Sequence, residues 1–464
     1  MIDPLWTSDE IAAATGGRAT ARFDVQGVSI DSRSVAPGDL FVALAGVRDG
    51  HEFAAGAFEA RASGVLASQE IAQPSVLVSD TQRALEQLGL AARARSTKTR
   101  RAAITGSVGK TSVTQAVAAG LKLAGSAHWS VKSYNNHIGV PLSLARMPRD
   151  TERAVFEIGM NHADEIGPLS CMVRPHVAAV TTVGPVHIEN FPDGEIGIAR
   201  AKAEIFQGMD LGGIAVLNAD NPWFELLAQA ARDAGAQVRS FGAGQGCDAQ
   251  LLDFEAGAGR AMVSARLHGR DLSIPILQTG FHWGANSLAV VLILEALGVD
   301  LDRSLAALAA FEPLEGRGAE LVVAIPGGDF TLIDESYNAN PLSMAAAVST
   351  LGARQTSGRR IVALTDMLEL GDQAGAFHAA LSEPLAAAGI DQVFCAGPLM
   401  KSLWDVLPST RRGGYAQEAG ALAPLVSRAV EPGDLVMVKG SNGSKAGVVA
   451  AALRAVSTRD GDAG

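Results

Sequence analysis

Cysteine is scarce in this 464-residue chain, which has three: Cys171, Cys247 and Cys395. Their odd number and wide spacing exclude a disulfide framework and a cysteine-built zinc site, and they suit a reducing cytosol. Aromatic residues make up only 5% of the chain, while glycine and alanine are plentiful. That balance fits small side chains packed between helices and parallel strands. Basic residues are outnumbered, 38 against 49 acidic, for a net charge of −11. A general nucleic-acid binder would need a basic face, so that class is set aside. Local basic loops can still gather small anionic substrates. A long apolar run is missing too: "ANSLAVVLILEALGV" is broken by Glu295 and is shorter than the roughly 20 residues that span a membrane. The opening "MIDPLWTSDE" lacks the basic and apolar regions of a signal peptide. A cytoplasmic chain without membrane insertion is expected.

The chain is too long for one core, and domains of about 100–200 residues suggest three. Residues 1–98 alternate short helix and strand signals. "TSDEIAAATGG" starts with capping residues and stops at paired glycines, as a helix does. "GVSIDSR", "DLFVAL", "GVLAS" and "SVLVSD" read as strands, and "TQRALEQLGLAARARS" as a helix. The basic run "TKTRR" that follows reads either as a phosphate attractor or as a solvated linker. Residues 99–313 alternate strands ("AVFEIG", "VAAVTTV", "GIAVLN") with helices, the pattern of a parallel sheet covered on both faces. Residues 314–464 repeat that alternation with "FTLIDES", "RRIVALTD", "DQVFCAG" and "DLVMVKG" as a second doubly wound unit. The fold class expected is therefore α/β. The polar tail "STRDGDAG" is expected to be disordered.

Chemistry is concentrated in "TGSVGKT", residues 105–111. Gly106 and Gly109 let the backbone curl so that N–H groups point at an anion. Lys110 supplies charge for the outer phosphates, the Thr111 hydroxyl can ligate Mg²⁺, and the following helix adds its positive dipole end. The loop is a short variant: Ile104 stands where the usual first glycine of the pattern would fall. Thr105, Gly106, Ser107, Val108, Gly109, Lys110 and Thr111 are thus the nucleotide-cradling residues. "FGAGQG" resembles a dinucleotide fingerprint, but no helix signal follows it, so it reads as a loop. Glu157 and His187 sit where other strands should end, the place where ligands gather in parallel sheets. Together with Thr111 they make a plausible oxygen and imidazole set for a magnesium-bound triphosphate. His187 taken alone reads equally as a loop histidine, and Lys202 in "ARAKAEIFQG" as a snorkelling lysine.

"TGSVGKT", "EIGMNH", "AKAEIF", "SYNANP" and "DMLELG" together resemble the Mur ligases, the ATP-dependent amide-forming enzymes of peptidoglycan precursor synthesis. The resemblance covers nearly the whole chain. It implies an N-terminal UDP-binding domain, a central phosphate-loop ATPase and a C-terminal Rossmann-like domain that closes on the nucleotide. The motifs point to the activity that adds D-alanyl-D-alanine to a UDP-N-acetylmuramoyl-tripeptide. That reaction runs through an acyl phosphate, with ATP bound first and the dipeptide last. The resemblance makes Lys110, Glu157, His187 and a carbamylated Lys202 the catalytic set. It puts magnesium on Thr111, Glu157, His187 and Lys202. Carbamylation requires a neutral amine, which a partly apolar site favours.

On the nucleotide side the resemblance adds Asn286, Arg317, Asp334, Tyr337 and Asn338. Trp283 stands in place of a family asparagine, as a stacking or a core residue. Glu335 stands where the family often has aspartate. On the substrate side it adds Ser32, Arg33 and Gly46 for the uridine end, Asn135 and Asn136 for the muramyl-peptide end, and Lys439 and Ser441. Asn135 and Asn136 can also be read as a capped turn. Asn442 replaces a family arginine. A monomer is expected. The near alternatives are another Mur-type ligase with a different amino substrate and a folylpolyglutamate synthase, and the domain at residues 1–98 speaks against the latter. A GTPase switch would want an Asn-Lys-x-Asp motif, which "LNAD" is not.

Overall fold

The computed structural model describes residues 3–131 and 133–456; the tail expected to be disordered lies outside them. Three main sheets are each drawn from one stretch of chain, with five, nine and six strands.

The nine-stranded sheet is the centre of the molecule. Toward one side of it, strand Arg100–Thr105 is flanked by Val177–Val180 and Arg153–Glu157, all parallel. Side chains alternate faces along a strand. Ala102 and Ile104 therefore enter one core with the helices Lys110–Ala124 and His282–Ala296, while Ala103 enters the other with Ile166 and Ile198. Both faces are covered, as expected of parallel strands. The far edge differs from the all-parallel reading. Ala249–Ala256, Ala261–Leu267 and Arg270–Ile276 form an antiparallel meander. "FGAGQG" leads straight into it, with no helix after the glycines.

The "TKTRR" run begins as the solvated linker expected, with Thr97 and Lys98 in an exposed turn, but its two arginines hold structural contacts. Arg101 is buried and its guanidinium donates to the carbonyls of Val173 and Arg174. Arg100 donates to Ala296 O. Both cap the carbonyl ends of helices, where positive charge is favoured.

The C-terminal sheet runs Ala319–Ile325, Gly328–Glu335, Leu435–Lys439, Arg360–Thr365, Gln392–Ala396 and Arg412–Ala416 in spatial order. Only the first strand is antiparallel to its neighbour, joined through a tight turn at Pro326 and Gly327. The N-terminal sheet is small, and its core includes Leu142 and Ala145 from the central helix Gly139–Ala145.

Candidate active site

Strand Arg100–Thr105 ends at a turn in which Gly106 has φ 146° and Gly109 φ 88°. These left-handed values suit glycine alone. At Gly106 there is also no room, because a Cβ would lie 2.0 Å from Thr181 Oγ1. Thr181 clasps the loop by donating to Val108 O at 2.5 Å. Ser107 is held by the next strand's loop: its N–H donates to Thr182 O (2.8 Å) and its hydroxyl to Gly184 O (3.0 Å). Thr105 is fully buried with its hydroxyl unpartnered. Lys110 Nζ folds back onto Gly106 O at 2.7 Å. The first N–H groups of helix Lys110–Ala124 have no intrahelical acceptor. Loop and helix end together form an anion cradle.

Glu157 terminates strand Arg153–Glu157 and is 1% exposed. Its Oε1 accepts from Asn135 Nδ2 at 2.6 Å, and its Oε2 is buried with no partner. Lys202, on helix Glu195–Ala203, is 3% exposed and makes no ion pair among the described residues. Burial, with Lys110 nearby, holds its amine well below the ordinary lysine range. Burial also lowers Lys110; Glu157 pulls it back up, and Arg317 adds to the lowering. His187 is lowered by burial too. Glu369 opposes this, while Lys110 and Lys202 reinforce it. Lys110 is the common neighbour: Glu157, His187 and Lys202 each interact with it electrostatically, so the three lie around it. Among the described residues no three His, Cys, Asp or Glu side chains converge on a common point. A metal here would draw on the Thr111 hydroxyl and a modified Lys202 as well.

The C-terminal domain closes over this cradle. The Arg317 guanidinium stacks on Tyr337 at 4.0 Å and donates to Thr111 Oγ1 at 3.3 Å. The Tyr337 hydroxyl meets Ser133 Oγ at 2.8 Å. His187 Nδ1 lies 2.6 Å from Glu369 Oε2, a close charge contact across the domain boundary. Asn286 lies against Gly109, its amide 3.4 Å from where a Cβ would stand. Trp283 is buried in the core against Phe311.

Other expected residues are placed differently from one another. Asp334 is 2% exposed and ion-paired with Arg454. Glu335, one residue on and so on the opposite strand face, pairs with Lys439 at 3.3 Å. Glu335 and Lys439 both act electrostatically on His282 of the central domain, so this pair faces the cleft. Asn338 is exposed and its carbonyl accepts from Lys439 Nζ. Ser441 is buried, with its hydroxyl accepting Leu368 N–H at 3.1 Å. Asn136 caps the turn before helix Gly139–Ala145 by accepting Gly139 N–H at 2.9 Å, while Asn135 reaches Glu157. Ser32 and Arg33 form a single helical turn in which Arg33 forks onto Asp31. Gly46 lies in an exposed loop. Sequence reasoning passed over Thr181, Glu369 and Ser130, whose hydroxyl accepts the Glu157 N–H at 3.2 Å. The paired threonines of "TTVG" at a strand end were a signal for the first; the other two are set by distant segments.

Comparison with known proteins agrees with this architecture. Residues 24–104 match the "Mur ligase family, catalytic domain", 104–294 the "Mur ligase middle domain" and 320–442 the "Mur ligase, glutamate ligase domain". The UDP-N-acetylmuramoyl-tripeptide–D-alanyl-D-alanine ligase of Rickettsia prowazekii is 30% identical, over 95% of this chain and 98% of its own. The enzyme of the same name from Escherichia coli is 35% identical, over 81% and 82%. A crystal structure of MurF from Acinetobacter baumannii superposes with a TM-score of 0.84 at 27% identity, covering 97% of this chain and 98% of that one. With a relative this similar matched end to end, and a phosphate loop seated between the domains the matches delimit, the chain belongs to the Mur ligase family.

Proposed function

We propose that the protein uses ATP to join D-alanyl-D-alanine to the terminal carboxylate of a UDP-N-acetylmuramoyl-tripeptide, in the cytoplasm, with magnesium. One observation carries this reading. A glycine turn, a buried carboxylate with a bare oxygen and a buried lysine without a counter-ion meet beneath a second domain. That arrangement fits a metal–nucleotide and has no evident structural purpose, since unpaired buried charge is costly. Like-named relatives matched over most of their length support the choice of substrates. No helix among the described residues is long and apolar enough to cross a membrane.

A free carboxylate does not react with an amine, because its oxygen is a poor leaving group. ATP makes it reactive by donating a phosphoryl group, giving an acyl phosphate that the amine attacks with loss of phosphate. Bringing two anions together is the barrier, and the protein lowers it by placed charge. Lys110 and Arg317 offset the phosphates from two sides. Magnesium, when bound, would supply further neutralising charge. Glu157 Oε2, Thr111 Oγ1, the free nitrogen of His187 and Lys202 would hold it. Lys202 reaches that role as a carbamate, and its lowered basicity leaves the neutral amine that carbamylation needs.

The test is a substrate panel read by mass: purified protein, ATP, Mg²⁺, UDP-muramyl-tripeptide or -dipeptide, and candidate amines. A pentapeptide product from tripeptide and D-alanyl-D-alanine is expected. Joining a single amino acid to the dipeptide form instead would refute the proposal.

A further inference from the structure

The loop Asp366–Gly371 crosses from the C-terminal sheet to the central domain, and its construction is unusual. It leaves strand Arg360–Thr365, places Glu369 at φ 62° and turns at Gly371 with φ 58°. It is braced from behind at two points. His378 is fully buried; its Nε2 accepts Met367 N–H at 3.0 Å while its Nδ1 donates to Ala374 O at 2.6 Å. Ser441 Oγ accepts Leu368 N–H at 3.1 Å. In front, Gly371 N–H donates to Glu189 Oε2 at 3.1 Å. A rigid loop thus presents one carboxylate to the neighbouring domain.

That carboxylate meets His187. Glu369 Oε2 is 2.6 Å from Nδ1, and the His187 ring has no other ion-pair or hydrogen-bond contact among the described residues. His187 itself sits at φ 57°, at the head of a short helical turn Ile188–Asn190. The ring therefore depends on the other domain for its orientation. A histidine that ligates metal through one nitrogen ordinarily donates its second N–H to a carboxylate, which fixes the tautomer and the ring plane.

We infer that Glu369 is a positioning residue: by accepting the His187 Nδ1–H across the domain boundary it leaves Nε2 bare, so the metal–phosphate site is finished only when the C-terminal domain docks. This rests on the role given to His187 in the proposed function. It makes docking part of site assembly, beyond covering a site already formed.

Three variants test it: Glu369→Ala, Glu369→Gln and Glu189→Ala. Glu369 is on the surface of a loop, so its replacement leaves the cores intact. The readouts are Mn²⁺ affinity in the presence of ADP, followed by paramagnetic resonance, and the Mg²⁺ concentration giving half-maximal product formation. Glu369→Ala should weaken Mn²⁺ binding by about 10-fold or more and raise the Mg²⁺ requirement in parallel. Glu369→Gln keeps an oxygen that accepts Nδ1–H and should stay close to the native protein. Glu189→Ala loses a docking contact but keeps the carboxylate on His187, so its shift should be clearly smaller. Native-like Mn²⁺ binding by Glu369→Ala, or an equal shift in Glu189→Ala, would overturn the inference. Failure of the native protein to make pentapeptide would refute the proposed function instead, and the Mn²⁺ titration would still report on Glu369.

Discussion

Replacing Glu157 by glutamine should make the ligand-free protein more stable while disabling it. Glu157 is 1% exposed, with Oε1 held by Asn135 and Oε2 unpartnered. A buried polar group left unsatisfied costs about 1–3 kcal/mol, and more when it is charged. Lys110 recovers part of that, since the two feel one another's charge. Glutamine keeps the oxygen that Asn135 needs and replaces a bare charged oxygen by a neutral amide. The net gain should be about 1 kcal/mol, raising the apparent Tm by about 2–4 °C. Ligand binding should reverse the ranking. A magnesium nucleotide at about 100 times its Kd stabilises by about 2.7 kcal/mol, and the variant should receive much less, having no carboxylate to offer. Turnover should fall by about 100-fold, as when one preorganised electrostatic contact is removed. Differential scanning calorimetry with and without Mg–ADP, beside a product assay, decides the matter. A variant no more stable than the native protein without ligand, or one stabilised equally by Mg–ADP, would refute the reasoning.

Further predictions follow the same geometry. Gly106→Ala sets a Cβ 2.0 Å from Thr181 Oγ1 at φ 146°, so nucleotide binding measured by calorimetry should be lost while the fold persists. Arg317→Lys cannot both stack on Tyr337 and reach Thr111; KM for ATP should rise by about 10-fold, with kcat less affected. His128 donates to Ser143 O at 2.7 Å, and burial pushes its pKa down to about 4. Its unfolded value is about 6.5. Between those values the unfolded chain takes up a proton that the folded chain refuses, so stability should fall as pH drops through this window and be unaffected above it. Urea midpoints for His128→Gln should show a flatter profile there; an identical slope would rule His128 out as the cause.

Local signals made the phosphate loop legible, because glycine, lysine and threonine act there through their own backbone and immediate neighbours. The alternation of strands and helices was legible for the same reason. The antiparallel meander was written in the sequence as well: Ala261–Leu267 alternates buried and open positions along most of its length. Helix–strand alternation elsewhere in the block hid it. The strand end at Asp334 and Glu335 shows what stays out of reach. Which carboxylate faces the cleft is set by register and by Arg454 from the last helix, which takes Asp334 inward. Glu369 was quoted within a motif, but its partner lies in another domain, and no local pattern connects the two. Asn135 and Asn136 are adjacent and chemically identical, yet one reaches Glu157 and the other caps a turn.

The way the first two domains are joined has a practical consequence. Helix Thr81–Arg95 lies against Gly139–Ala145 so closely that a Cβ on Gly89 would sit 3.0 Å from Pro141 O. Trp6 Nε1 donates to Ala145 O at 2.9 Å, and Arg146 Nε to Val28 O at 2.6 Å. A fragment beginning at residue 99 would leave Leu142 and Ala145 stripped of their apolar neighbours. The N-terminal and central modules are therefore not interchangeable cassettes between homologues. Among the described residues the final module's apolar clusters are its own, and its ties to the central module are polar contacts such as Arg317 to Thr111, which suits it to moving as a unit.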